Sequence, residues 1–409
     1  MAFFAECLAD ISFWTSQVED NINLLPTRSW MTSLIAGFLE AATKTDETAY
    51  PPDLLPRGWE LIKILLARAE DEPANLTDPM TRALNTEKGR AIGAMYNHAL
   101  RVCRVAQKNG TSLDQAWATL EPTFESELAK CRDANFDFST LSASYIANLD
   151  YMSHNWLAAN VKRLFPVDYP INLKVALGGL AYATPTRVIY GLLVSNGILD
   201  AAFRTELEDR SSKERIVEWV CLAYLWGDEA LEAPLMAHIF AGGSDDLQNA
   251  SEFFWQVRRQ DLTSDQVERV LAFWAKCLEW ANGQPEVPTK LLSSLGRLAP
   301  YVHALDDRAK NLLLGIVPYV HADYSTHQMI EEFDRLVDTN PQATVELLQR
   351  MFEVGTPNYD MDDKLKSLLK KLNDLGYRAD VLHIVEKLRK TLPGMLDFYK
   401  QLVAQSPKE

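Results

Sequence analysis

The segment most suggestive of chemistry is NTEKGRAIGAMYNHALR (85–101), where two glycines four residues apart lie beside a lysine and an arginine. A phosphate-binding Walker loop reads G-x-x-x-x-G-K-[ST] directly after a hydrophobic strand, so that backbone amides at a helix start hold the phosphates. Here the lysine precedes the first glycine, and no strand is predicted upstream. The segment therefore predicts a helix that opens at Thr86. Gly89 and Gly93 would let a neighbouring helix approach closely, and Arg90 would pair with an acidic group on that neighbour.

No other group of residues has the spacing of a metal or catalytic site. His321 and His327, with Asp323 between them, come closest, but two histidines on one helix face are spaced H-x-x-x-H. The D-D-x-x-D pattern of magnesium-dependent terpene cyclases fails at all three Asp-Asp pairs, and no G-x-S-x-G nucleophile elbow occurs. We therefore expect no catalytic, cofactor-binding or metal-binding residues and no enzymatic activity.

One enzymatic alternative stays open. A toroid of helix pairs that hydrolyses glycans needs two carboxylates across a cleft lined with aromatic residues. The ten tryptophans and 56 acidic residues could supply both, although no local motif favours such a site. We keep a glycan hydrolase as an alternative to a binding protein.

The segment FFWQVRR (253–259) carries the residue types that anchor protein interfaces. Trp255 and Arg259 lie four residues apart, so both would share one face of a helix. Tryptophan and arginine are enriched among the residues that dominate binding energies. Trp255, Arg258 and Arg259 are therefore the candidate protein-binding residues. The alternative is that the aromatic residues belong to the core and the arginines are solvated.

The elements that would position these residues are helices. From Ile92 to Cys103 the apolar residues recur at i, i+3, i+4, i+7, i+8 and i+11, which predicts an amphipathic helix of about five turns with Asn97 and Arg101 on its polar face. The β-branched segment 186–194 is also predicted to be helical, because no alternating partner strand follows it. Further helix starts are predicted at the capping-box sequences 112–115, 211–214 and 263–266 and at Asn340-Pro341, and helix ends at Gly355 and Gly376.

Composition and charge limit which partners and which cellular compartment are expected. The 409 residues are 47% apolar and carry a net charge of −15, whereas proteins that bind nucleic acid or membrane surfaces neutralise phosphates with Lys and Arg. The five scattered cysteines form no C-x-x-C pair, which predicts buried thiols in a reducing, cytoplasmic compartment. Glu6 and Asp10 interrupt the apolar N-terminus, and no apolar run approaches the roughly 18 residues of a membrane span. We expect neither nucleic acid nor a membrane as a partner.

The helices are joined by short polar loops, which predicts antiparallel pairs of roughly 35–45 residues, the length of helical repeat units. We therefore predict an all-α fold, an α-solenoid of degenerate TPR/HEAT-like repeats. N-terminal helices would occupy residues 1–50. Repeat blocks would follow at 51–165, 166–285 and 286–409, the last closed by one-faced capping helices such as the one that carries Leu365, Leu368, Leu369 and Leu372.

Three segments resemble a known group of proteins: ALNTEKGRAIGAMYNHALRVCR (83–104), VERVLAFWAKCLEW (267–280) and EEFDRLVDTNPQATVELLQRMFE (331–353). They are similar to the C-terminal helical-repeat sensor region of bacterial antiviral STAND NTPases of the AVAST class and related defence proteins. In that family the sensor captures a viral protein, an adjoining NTPase module oligomerises, and an N-terminal effector, often a nuclease, then acts. This chain shows neither an NTPase nor an effector motif, so the resemblance implies a sensor fragment or a small standalone protein.

We therefore expect a protein-recognition module, a sensor that binds a phage protein in bacterial antiviral defence. The alternatives are the glycan hydrolase and a scaffold or accessory subunit for a host protein. The sequence indicates no oligomeric state.

Overall fold

The computed structural model describes residues 1–15, 28–322, 325–355, 363–392 and 394–404. Every regular element in these ranges is a helix and none is a strand, which confirms the predicted all-α class. No helix within them combines the length and the apolar character needed to cross a bilayer.

The chain divides into two compact units, Met1–Ile216 and Val217–Glu409. The α-helices of the first unit are α1 (Ala2–Ala9), α2 (Ile11–Thr15), α3 (Arg28–Lys44), α4 (Leu55–Arg68), α5 (Pro79–Asn85), α6 (Glu87–Lys108), α7 (Leu113–Ala129), α8 (Phe136–Ser144), α9 (Ile146–Leu164), α10 (Pro170–Leu180), α11 (Arg187–Ser195) and α12 (Ile198–Arg204). A 3₁₀ turn, Pro52–Leu54, leads into α4.

Helix α13 (Arg210–Trp226) contains the point of division between the units. The α-helices that follow are α14 (Pro234–Ala241), α15 (Ser244–Val257), α16 (Ser264–Asn282), α17 (Thr289–Leu295), α18 (Asp307–Leu314), α19 (Ser325–Leu336), α20 (Pro341–Val354), α21 (Lys364–Asp374), α22 (Arg378–Leu388) and α23 (Met395–Ala404). Two 3₁₀ helices, Gly296–Tyr301 and Val317–Ala322, lie between them. The four blocks predicted from the sequence are finer than this division and stay predictions.

Helix α6 is the central helix of the first unit and packs against α3, α4, α7 and α8. As predicted, it opens at Thr86. The hydroxyl of Thr86 accepts a hydrogen bond from the Gly89 amide at 2.9 Å. Its predicted polar face is not a solvated face, because Asn97 and Arg101 are buried. The Asn97 amide donates to the Tyr145 hydroxyl at 3.1 Å, and Arg101 forms an ion pair with Asp46. Polar partners on neighbouring elements thus allow the helix to be buried on nearly every side.

The two glycines of α6 differ in what surrounds them. A methyl group at Gly89 would lie 1.6 Å from the carbonyl oxygen of Ala83, so the predicted close approach is confirmed there. The neighbour is the end of the preceding helix. At Gly93 the nearest atom, a carboxylate oxygen of Glu40, would lie 3.7 Å away, which is ordinary van der Waals contact. No close approach requires a glycine at this second position.

The predicted ion pair of Arg90 is wrong, because Arg90 is exposed and pairs with no acidic group in the described ranges. Lys88, two residues earlier, faces the interior instead. Its ammonium group lies 3.1 Å from a carboxylate oxygen of Glu127 on α7 and donates to the carbonyl of Leu66 at 2.9 Å. Both charged side chains are buried, and Asn135 also donates to Glu127, at 3.0 Å. Such a pair tolerates burial only when its remaining hydrogen-bonding groups have partners.

Most of the predicted helix starts and helix ends are confirmed. Thr263 and Gln266 form a reciprocal capping box at α16, and the Asn340 side chain caps α20 ahead of Pro341. The start predicted at Ser211 is wrong by two residues, because α13 begins at Arg210. The carboxylate of Asp209 accepts from the Ser211 amide at 3.0 Å and takes the capping position. A carboxylate there also interacts favourably with the positive end of the helix dipole.

Two further predictions concern single helices, and both are confirmed. The β-branched segment 186–194 is helical within α11, capped by Thr186. In α21 the buried residues are the four leucines of the predicted stripe, which leaves the lysines on the opposite side. The sequence predicted that the cysteines are buried thiols. All five are free thiols, of which Cys103, Cys131, Cys221 and Cys277 are buried and Cys7 is half-buried.

Candidate functional site

The predicted protein-binding residues lie at the C-terminal end of α15. The helix ends at Val257, so Arg259 lies outside it and does not share a helix face with Trp255. The guanidinium carbon of Arg258 lies 3.9 Å from the centre of the indole ring, and that of Arg297 lies 5.6 Å from it. The face of Trp255 is therefore partly covered by cations of the same chain, an arrangement that stabilises both groups. Arg259 is exposed beside them.

A second surface, not singled out in the sequence, lies on α3. Trp30, Leu34 and Phe38 follow one another at intervals of four residues and remain 52%, 48% and 45% exposed. We call these three residues the α3 stripe. The opposite face of the same helix is also apolar, and Ile35 and Leu39 are buried there, where α3 packs against α6. Helices that are apolar on both faces are normally covered on both.

An apolar cavity of about 730 Å³ lies between α4, α6 and α7. Among the described residues, the charged side chains on its wall are Glu60 and Lys63, which pair with each other at 2.7 Å. The remainder of the wall is mainly aliphatic, aromatic and proline side chains, among them Pro52, Leu55, Pro56, Trp59, Val102, Val105, Ala106, Leu120 and Pro122. Sites for small organic ligands have this size and this predominance of apolar surface.

His98 is the polar residue buried in the wall of this cavity. Its Nδ1 atom lies 2.9 Å from the hydroxyl of Tyr50, and its ring stacks on Trp59 with 5.3 Å between the ring centres. The other ring nitrogen, Nε2, is buried and has no hydrogen-bond partner in the described part of the chain. Burial lowers the pKa of His98 to about 4 and raises that of Tyr50 to about 12, so both are neutral at pH 7.

Gly58 makes the contact between Tyr50 and His98 possible. A methyl group at this position of α4 would lie 2.3 Å from the Tyr50 hydroxyl and 3.1 Å from Cε1 of His98. The hydroxyl therefore reaches the imidazole through space that any other residue would fill. The sequence contains each of these residues, but Tyr50 and His98 are 48 positions apart, and no local pattern links them.

Within the described ranges, no group of three or more His, Cys, Asp or Glu side chains is arranged to hold a metal ion. Of the predicted closest cluster, Asp323 and the side chain of His321 lie outside the described residues. That the chain has no metal-binding residues stays a prediction.

The chain matches no protein-family model, no curated protein and no solved structure.

Proposed function

We propose that this chain is a protein-recognition module, and that the α3 stripe is its docking surface. Within each unit we propose the finer architecture of antiparallel helix pairs. The chain would have no catalytic activity of its own. The resemblance to the sensor regions of antiviral STAND NTPases supports a viral protein as the partner and the bacterial cytoplasm as the compartment.

The observation that carries this proposal is the exposure of Trp30, Leu34 and Phe38. Three large apolar side chains at i, i+4 and i+8 form a continuous strip along one face of a helix. Monomeric proteins rarely leave such contiguous apolar strips in water, and strips of this kind mark sites of protein interaction. Tryptophan, the residue at one end of this strip, is enriched among the few residues that dominate binding energies. A partner that offers an apolar groove would cover the strip in the way in which grooves receive amphipathic helices.

The test is capture of a partner by the purified chain from lysates of bacteria with and without phage infection. The stripe variant Trp30→Ser/Leu34→Ser/Phe38→Ser removes the docking surface. The control variant Tyr182→Ser/Val188→Ser removes two residues of the same unit that are 58% and 51% exposed. We expect the wild-type chain and the control to retain one viral protein in equal amounts, and the stripe variant to lose it. Circular dichroism of both variants checks whether they are folded.

Other outcomes identify a different surface or a different function. If Trp255→Ala/Arg259→Ala abolishes retention and the stripe variant does not, docking takes place at the end of α15. Retention of the same host protein from both lysates would support a scaffold or accessory subunit. If the wild-type chain retains no stoichiometric partner from either lysate, the proposal of protein recognition is wrong.

A further inference from the structure

We infer that the cavity between α4, α6 and α7 binds a small, neutral, mainly apolar molecule that carries one hydrogen-bonding group, and that His98 recognises this group. The inference does not depend on the proposed docking at α3. It rests on three observations: the size of the cavity, the apolar nature of its wall and the unpartnered nitrogen of a buried histidine.

Size and charge define the class of ligand. The volume of about 730 Å³ falls within the range typical of small-molecule sites, roughly 300–1,000 Å³. Because Glu60 and Lys63 neutralise each other, the described residues of the wall offer no uncompensated charge to an ionic ligand. A charged molecule that moved from water into this environment would therefore find no counter-charge. A neutral apolar molecule, in contrast, gains free energy when it leaves water.

His98 supplies the polar contact. Buried polar atoms in folded proteins nearly always have a hydrogen-bond partner, so each exception calls for an explanation. The Nδ1 atom is occupied by Tyr50, which leaves Nε2 as the ring nitrogen without a hydrogen-bond partner among the described residues. A neutral imidazole has one donor and one acceptor nitrogen. A ligand hydroxyl, which both donates and accepts, would therefore suit Nε2 in either tautomer.

The first experiment is titration of the whole chain with N-phenyl-1-naphthylamine, a neutral apolar probe whose fluorescence rises in apolar surroundings. Val105→Trp fills the cavity, and Val188→Trp places the same side chain at an exposed valine elsewhere in the unit. We expect saturable binding of one probe per chain to the wild type, to Val188→Trp and to the stripe variant, and at least tenfold weaker binding to Val105→Trp. Absence of saturable binding, or equal binding by Val105→Trp, would overturn the inference.

The second experiment tests His98 by displacing the probe with naphthalene or with 2-naphthol. The two compounds have the same ring system and differ in one hydroxyl group. We expect the wild type to bind 2-naphthol about threefold to tenfold more tightly than naphthalene, the gain of one net hydrogen bond. The variant His98→Phe should bind both equally. Equal affinities in the wild type would overturn the role of His98, and this comparison holds even if the variant does not fold.

Discussion

His98 links the stability of the first unit to pH. Burial lowers its pKa in the folded chain to about 4, below the value of 6.5 for an unperturbed histidine. Between these two values the unfolded chain binds more protons than the folded chain, so the free energy of unfolding falls as the pH falls. The stabilisation is complete above pH 6.5 and is lost towards pH 4.

We therefore predict that lowering the pH from 7.5 to 5 removes about 2 kcal/mol of stability through His98. Urea unfolding at a series of pH values measures this loss. The variant His98→Gln has no imidazole to titrate, so its free energy of unfolding should depend less steeply on pH by that amount. Tyr50, the residue in contact with His98, has a pKa raised to about 12 and does not titrate in this range. Parallel pH profiles for the two proteins would contradict the prediction.

At the scale of residues, the sequence predicts what a side chain can do better than where it points. The sequence analysis predicted that Arg90 would pair with an acidic group on a neighbouring helix. The structure assigns that pairing to Lys88 and leaves Arg90 in water. The two residues lie about 200° apart around the helix, and only the packing of α6 decides which one is buried. The contact of Tyr50 with His98 depends in the same way on packing between distant segments.

At the scale of elements, the two glycines of α6 provide a matched comparison. In Gly89→Ala the added methyl group would meet the backbone oxygen of Ala83, which cannot move without displacing the end of α5. We predict a loss of about 3 kcal/mol or more. Gly93→Ala has room for the methyl group and gains the higher helix propensity of alanine, so we predict a gain of about 0.5–1 kcal/mol.

Thermal unfolding of the two variants checks this prediction. The substitutions are chemically identical and lie four residues apart on one helix, so each serves as the control for the other. A similar loss of stability in both variants would show that α6 requires glycine for flexibility and not for space.

Helices as elements were predictable from the sequence because their signals are local. The apolar spacing of α6, the capping box of Thr263 and Gln266 and the leucine stripe of α21 all lie within a few turns of the chain. The environment of each helix was not predictable in the same way. The α3 stripe illustrates the reason: the sequence of α3 is apolar on two faces, and only the position of α6 decides which face is buried.

At the scale of the whole molecule, the charge of −15 opposes binding to polyanions. Non-specific binding of proteins to duplex DNA rests on Lys and Arg that displace condensed counterions. We predict that the chain binds a labelled duplex more weakly than about 100 µM at physiological salt, the weak end of the range for non-specific binding. Fluorescence anisotropy measures this affinity. Tighter binding that weakens steeply with salt would reveal a basic surface and contradict the prediction.

The division into two units is a property of the whole chain that the sequence did not show. The four blocks predicted from the sequence, 1–50, 51–165, 166–285 and 286–409, stay predictions. The division into compact units falls after Ile216, inside α13, where the helical pattern is continuous. Compact units are defined by contacts between distant residues, and a helix can end one unit and begin the next without any local signal.

The burial of four of the five thiols makes the chain suitable for attaching a single reporter dye. Burial raises the pKa of Cys103 to about 11 and of Cys131 to about 12, and it also raises the pKa of Cys221 and of Cys277 above the ordinary thiol value, so none of these forms the reactive thiolate at neutral pH. Cys7 is the half-buried thiol, on α1. The same helix places Phe4 against Phe38 of the α3 stripe, with 5.3 Å between the ring centres. A maleimide dye on Cys7 would therefore sit beside the proposed docking surface and change its emission when a partner arrives.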